Sequence, residues 1–233
     1  MLMNEWLLVV EIITVFSLLL ITKRLFGKNG LICWVAMASI IANIEVTKSV
    51  DIFNISATLG NVMFASNFLA TDILSECYGK KYAKQAVLIG IFSVLVYIIN
   101  MQISLLYVPN DIDIANVAMQ NLFNIAPRIC VASVLMFAIS NIADVYLFEK
   151  LKNKFNGKKM WLRNNVSTIL CNCLENFGFV FIAFIGIYPL KDLMMIALST
   201  SIIEIGIALC DTPFLYLAKY KIRNEGGNCN MNN

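Results

Sequence analysis

The sequence predicts an all-α fold, a polytopic bundle of membrane-crossing helices, and three observations point there. Apolar residues make up 59% of the 233, only 14% of side chains are charged, and the mean hydropathy is +0.75. Soluble domains run at roughly 25% charged and 45–50% apolar, so this chain lacks the charge to coat a water-facing surface. The apolar residues also gather in stretches near the ~20 that a helix needs to cross hydrocarbon, without the alternation of barrel strands.

Seven such segments follow in order: 5–22, 30–46, 54–75, 85–107, 127–148, 165–187 and 193–218. The first contains Glu11 and has neither a basic leader nor a small-residue cleavage motif, so it reads as a retained span. The second is short and the third unusually polar, which leaves six crossings plus a re-entrant piece beside seven. The fourth is an apolar run, and the last three carry acidic and amide residues inside apolar stretches. No long soluble insertion separates them, so residues 1–233 read as one membrane domain.

Orientation follows from Lys and Arg, which concentrate in cytoplasmic loops. They fall at Lys23, Arg24 and Lys28, at Lys80, Lys81 and Lys84, from Lys150 to Arg163, and at Lys219, Lys221 and Arg223. The alternate loops hold Lys48, Lys191 and several Asp, with Arg128 at the mouth of segment five. Every second loop is basic, which favours seven crossings with an outside N-terminus and a cytoplasmic C-terminus. These charges read as topogenic, with the bilayer and not a nucleic acid as their partner. Trp6, Tyr107, Trp161, Tyr188 and Tyr220 fall near span ends, as an interfacial belt does.

Two absences narrow the chemistry. There is no His, which removes Ser-His-Asp and Cys-His nucleophiles and the usual zinc ligand sets. No G-x-x-x-x-G-K-[ST] run is present either, so the chain carries no ATP site of that kind. The seven Cys lie mostly in apolar stretches and read as reduced packing residues. No catalytic residue, metal site or cofactor is expected.

Function is most legible in the polar residues within the spans, because a mid-span carboxylate costs about 2.5–3.5 kcal/mol even on lenient insertion scales. Glu11, Asp72, Glu76, Asp144, Glu175, Glu204 and Asp211 all lie within or at the ends of spans. At steps of three and four, Asn54, Thr58, Asn61, Ala65, Phe68, Asp72 and Ser75 draw one stripe on segment three, next to Asn67. Segment five repeats it with Ser133, Phe137, Ser140, Asn141 and Asp144; segment six with Asn164, Thr168, Cys171, Asn172, Glu175 and Phe179; segment seven with Thr200, Glu204 and Asp211. Converging stripes would line a polar pocket, whereas isolated hydroxyls and amides also serve to join helices. Asp72 and Glu76 have a second reading, pairing with Lys80 or Lys81 at the membrane surface. Phe64-Ala65 before Ser66-Asn67 and Asp72 parallels Phe137-Ala138 before Ser140-Asn141 and Asp144, a faint same-direction repeat. Ala36, Ala38 and Ser39 form a small-residue face on segment two that would suit a homodimer.

Carboxylates and amides beside Phe68, Phe137, Phe177 and Phe179 suit a small polar, planar or cationic solute. A guanine-like edge, with a ring N–H and an exocyclic amine donating to one carboxylate, is an example. A cation or proton channel would use the same residues.

The segment Ala70-Thr71-Asp72-Ile73-Leu74-Ser75-Glu76-Cys77-Tyr78-Gly79-Lys80-Lys81-Tyr82-Ala83 resembles the queuosine precursor transporter family. Ala42-Asn43-Ile44, Arg128 to Ser133, Ser140-Asn141-Ile142-Ala143-Asp144, and Trp161-Leu162-Arg163-Asn164 leading to Asn172 and Glu175 agree with it, in order over about 40–218. Asn141 and Glu175 depart from the Gln and Asp common in the family, each by one methylene. The resemblance implies import of 7-deazaguanine bases (7-cyano, 7-aminomethyl or queuine) for salvage into transfer RNA. It implies a site at Asn43, Asp72, Arg128, Asn141, Asp144, Asn172 and Glu175; the polar stripe of segment three adds Asn67 and Phe68, and a protonatable carboxylate, Glu175 or Glu204, is a candidate proton-coupling group. The other readings are the substrate-binding component of an energy-coupling vitamin importer and a channel.

Overall fold

The computed structural model describes residues 2–53, 55–123, 127–155, 158–186 and 189–224. Asn54, Tyr188 and Cys229 lie outside the described residues, as do the side chains of Thr58, Arg128, Cys130, Lys219, Tyr220, Lys221 and Arg223. Helix α1 (Leu2–Glu45) precedes a two-stranded antiparallel hairpin, β1 (Ser49–Ile52) and β2 (Ile55–Thr58), and α2 (Asn61–Cys77). Then come α3 (Lys80–Leu105), the short α4 (Asn116–Phe123), α5 (Pro127–Lys154), α6 (Met160–Phe184) and α7 (Leu190–Asn224). Five of the described helices are long and apolar enough to cross a membrane.

The first two predicted segments are the two arms of α1, which breaks at Gly27, where φ is +59° and ψ is −137°. That conformation is open to glycine at little cost and strained for other residues. The arms fold back on each other. Asn4 donates to the Asp51 carbonyl at 2.9 Å and the Phe53 N–H donates to Glu5 at 3.1 Å, so the start of arm one meets the hairpin that follows arm two. At the other end Gly27 lies near Tyr78, Lys28 donates to Tyr82 at 3.3 Å, and Lys23 donates to the Ala218 carbonyl. The residues predicted to be cytoplasmic thus gather at one end of the bundle.

The third segment is corrected. Its polar stripe does not begin on a helix: Thr58 ends strand β2, and α2 starts only at Asn61. Gly60 makes that start, with φ +94°, and a Cβ there would fall 2.9 Å from the Ala42 carbonyl oxygen. At 17 residues α2 is about 25 Å long, short for ~30 Å of hydrocarbon, and the hairpin occupies its outer end. It packs against α1, α3, α5 and α7, and all its residues but Phe64 are buried. Its polarity is therefore no cost against lipid. By contrast α3 shows Leu88, Phe92, Val96 and Ile99 to the outside and buries only a few residues.

The small-residue face offered for a homodimer is also corrected. Ala38 and Ser39 are fully buried within the chain, where Ser39 accepts a hydrogen bond from Asn67 at 3.2 Å. Ala36 is half-buried, so two of the three residues of that face are turned inward. The main apolar core runs from Phe16 and Trp34 on α1 through Leu69 and Ile73 on α2 to Ile207 and Leu215 on α7. Trp34, too polar at its ring N–H to be buried unpaired, donates to Ser66 at 3.0 Å.

Candidate functional site

The helices leave a cavity of about 490 Å³ in the half of the bundle that holds the hairpin and α4. That is within the roughly 300–1,000 Å³ of small-molecule sites. Each element contributes from the part that reaches this half. Asn43 comes from the end of α1, Asn61, Phe64 and Phe68 from the first turns of α2, and Tyr97 and Gln102 from the end of α3. Phe123 of α4 closes the mouth, its ring edge-on to Tyr97 at 5.9 Å and its carbonyl accepting from Gln102 at 2.7 Å. Ser133 and Met136 come from α5, Asn172, Glu175, Asn176 and Phe179 from α6, and Thr200 and Glu204 from α7.

The polar groups are mostly held in place. Glu175 accepts a hydrogen bond from Ser140 at 2.5 Å, and Glu204 one from Asn176 at 2.6 Å. Asn176 also lies 3.3 Å from Ser201, while Asn43 donates to the Ser39 carbonyl and accepts from Ser133 at 2.9 Å. Asn172 is the exception: it is buried, and its Oδ1 has no hydrogen-bond partner among the described residues. A buried acceptor without a partner costs about 1–3 kcal/mol, so Asn172 is under-satisfied where it borders the cavity.

Of the residues read from the sequence, the cavity gathers Asn43, Phe68, Asn172, Glu175 and Glu204. Asn67, Asp72, Asn141 and Asp144 are buried but do not line it. Asn67 is bonded to Ser39, and Asn141 donates to the Phe137 carbonyl at 2.9 Å. Arg128 sits on the first turn of α5, with its side chain outside the described residues. The faint repeat has a spatial counterpart: the rings of Phe64 and Phe137 lie 6.5 Å apart, and Asp72 is within electrostatic range of Asp144.

A second polar centre occupies the opposite half, near the basic loops. Pairing of Glu76 with Lys80 or Lys81 is not what the fold builds. Glu76 meets Arg163 at 3.1 Å and Lys152 at 3.5 Å, and Lys80 and Lys84 lie over the Tyr146 ring at 4.1 Å. Arg163, read from the sequence as a loop cation, is fully buried and stacks 5.1 Å from the Phe148 ring. Sequence reasoning also missed Asn176, Tyr97 and Gln102. The i, i+3, i+4 spacing of Asn172, Glu175 and Asn176 signals the first, whereas Tyr97 and Gln102 sit in an apolar run without such a signal.

A multi-pass helical membrane protein with a walled, polar-studded cavity between its helices is the architecture of a small-molecule transporter, and the comparisons agree. Residues 58–218 match the family described as "Putative vitamin uptake transporter". A "Probable queuosine precursor transporter" of Bacillus subtilis (strain 168) is 37% identical over 211 residues, covering 90% of this chain and 92% of that one. A "Queuosine precursor transporter" of Escherichia coli (strain K12) is 30% identical over 145 residues, 61% of this chain and 62% of that one. No solved structure matches. The chain belongs to the queuosine precursor transporter family, and so it is a transporter and not an enzyme.

Proposed function

We propose that this chain imports 7-deazaguanine bases (7-cyano-7-deazaguanine, 7-aminomethyl-7-deazaguanine or queuine) across the cytoplasmic membrane for queuosine salvage into transfer RNA. The observation that carries this reading is the Glu175 carboxylate and the Asn172 side chain on the wall of a cavity whose other faces are Phe64, Phe68 and Phe179. A flat heterocycle leaving water needs apolar faces for its ring and acceptors for its N–H groups.

In this reading the base enters past Phe123 and Asn43, at the end where the N-terminus and hairpin lie, and its ring lies against the Phe side chains. Glu175 accepts the ring N–H and the exocyclic amine together, a charge-assisted pair stronger than a neutral one. Asn172 accepts a further N–H donor from the five-membered ring. Ser140 fixes the Glu175 rotamer, and Asn67 and Asn141 brace the helices behind the cavity wall. The bases enter from outside and leave beside the basic loops, which this topology puts in the cytoplasm.

Direct binding to the purified protein tests the site. Glu175→Gln keeps the volume and removes the charge, and affinity for 7-deazaguanines is expected to fall at least about tenfold, or ~1.4 kcal/mol. Unchanged affinity would remove Glu175 from the role.

A further inference from the structure

One helical turn beyond the cavity wall, toward the basic loops, lies a carboxylate centre that base binding leaves unused. Asp72 follows Phe68 by four residues on α2 and is 1% exposed; Asp144 on α5 and Asp211 on α7 are 0% exposed. Asp72 is within electrostatic range of Asp144, Asp211, Glu76 and Arg163. Its nearest neutral donors are Ser167 beside Asp144, and Asn164 and Thr212 beside Asp211. Both carboxylate oxygens of Asp144, one of Asp72 and one of Asp211 have no hydrogen-bond partner among the described residues. Two further polar groups are incompletely partnered among the described residues: Asn164 gives its amide N–H to Asp211 at 2.5 Å but leaves Oδ1 open, and the Thr168 hydroxyl has no partner; both residues are fully buried.

One cation reaches this centre: Arg163 is in electrostatic range of Asp72 as well as of Glu76. Arg163 of α6 pairs with Glu76, and Lys152 of α5 is shared between Glu76 and Glu149. Lys23 of α1 donates to the Ala218 carbonyl, and Lys80 and Lys84 of α3 cover Tyr146. From α6 the remaining titratable neighbours are Cys171, in electrostatic range of Asp144, Asp72 and Glu175, and Glu175 itself. Glu204 of α7 is engaged by Asn176 in the other half. Carboxylates thus outnumber cations in a water-poor interior, where adjacent buried carboxylates cannot all stay ionised. The missing charge is a cation, and the described acidic and thiol residues do not group into a ligand set for a metal ion.

We infer that Asp72 and Asp144, backed by Asp211, form a proton site separate from the solute cavity, which loads a proton from one side of the membrane and releases it to the other as the solute crosses. The step balances as carboxylate plus proton to carboxyl, and the reverse on release. It rests on the transport reading above, and it assigns coupling to this centre in place of Glu175 or Glu204.

The test uses the full chain in two measurements. The first needs no solute: infrared spectra of the purified protein at neutral pH are expected to show the C=O stretch of a buried protonated carboxyl that Asp144→Asn or Asp72→Asn removes. A band unchanged in both variants overturns the site. The second is uptake of a 7-deazaguanine base into proteoliposomes, with an imposed pH gradient and with a sodium gradient at fixed pH. An inward proton gradient is expected to raise initial uptake severalfold in the wild type, and Asp144→Asn uptake is expected to be indifferent to that gradient at whatever rate it retains. A response to sodium alone, or a pH response that persists in Asp144→Asn, overturns the proposal. If no base moves in the wild type while the carboxyl band is present and lost in the variants, it is the transport reading that fails.

Discussion

The cavity from Asn43 to Glu204 and the centre from Asp72 to Asp211 are built from the same residue types on the same helices, yet they differ in what completes them. In the cavity each carboxylate has a neutral donor beside it, Ser140 for Glu175 and Asn176 for Glu204, and about 490 Å³ of open volume in front. In the deeper half Asp211 takes a neutral donor from Asn164, while Glu76 beside the aspartates is held by two cations, Arg163 and Lys152. A neutral donor holds a rotamer and leaves a carboxylate free to take a ligand. A buried cation fixes the fold around it, because parting it from its partner strands a charge.

That difference ranks the consequences of mutation. The largest is expected at Arg163, whose replacement by Ala takes from Glu76 its nearer and fully buried cation and leaves Lys152 at 3.5 Å; breaking a buried pair costs about 3–5 kcal/mol. Thermal unfolding in detergent should show a large fall in Tm, smaller for Arg163→Lys, and a wild-type Tm for the Ala variant would erase the distinction between the two centres. Next is Gly60→Ala. Its +94° φ and the Ala42 carbonyl 2.9 Å from the added Cβ predict a loss of roughly 1–3 kcal/mol, read by the same melt. It would also displace the start of α2, and with it Asn61 and Phe64 on the cavity wall.

Smaller again is Ser140→Ala, which removes a single neutral donor from Glu175. Base affinity should weaken about fivefold, near 1 kcal/mol, with little change in Tm. An equal loss of stability would mean that Ser140 acts as helix glue and not as a positioner. The smallest is Lys84→Ala at the exposed Tyr146 contact, for which neither Tm nor affinity is expected to move measurably.

Much of the architecture was written in periodicity and charge. The fold-back at Gly27 sits among Lys23, Arg24 and Lys28, where a basic loop was expected; α5 and α7 cover their predicted segments, and α6 ends at Phe184, three residues short of its own. The hairpin was not legible, because Ser49 to Thr58 carries mixed polarity that fits a helical stripe as well as two four-residue strands. For the site, Asn43, Phe68, Asn172, Glu175 and Glu204 were named from spacing and resemblance, and they meet because each lies on the inward stripe of its helix. What spacing along one helix cannot give is depth. Asp72 and Asp144 share those stripes, but they lie a turn or more further along, beyond the cavity. Nor does it give partners across helices: Arg163 reads as a loop residue in the chain, and only the packing of α6 against α5 and α2 makes it the counterion of Glu76.

The most direct test of the central claim is uptake in cells that neither make queuosine nor carry their own importer. Such cells, expressing this chain, are given each of queuine, 7-cyano-7-deazaguanine and 7-aminomethyl-7-deazaguanine at low concentration, and modified transfer RNA is measured. Restored modification with at least one base, lost in Glu175→Gln, is the predicted result. Absence of modification with all three, in cells whose membranes demonstrably contain the protein, would contradict it.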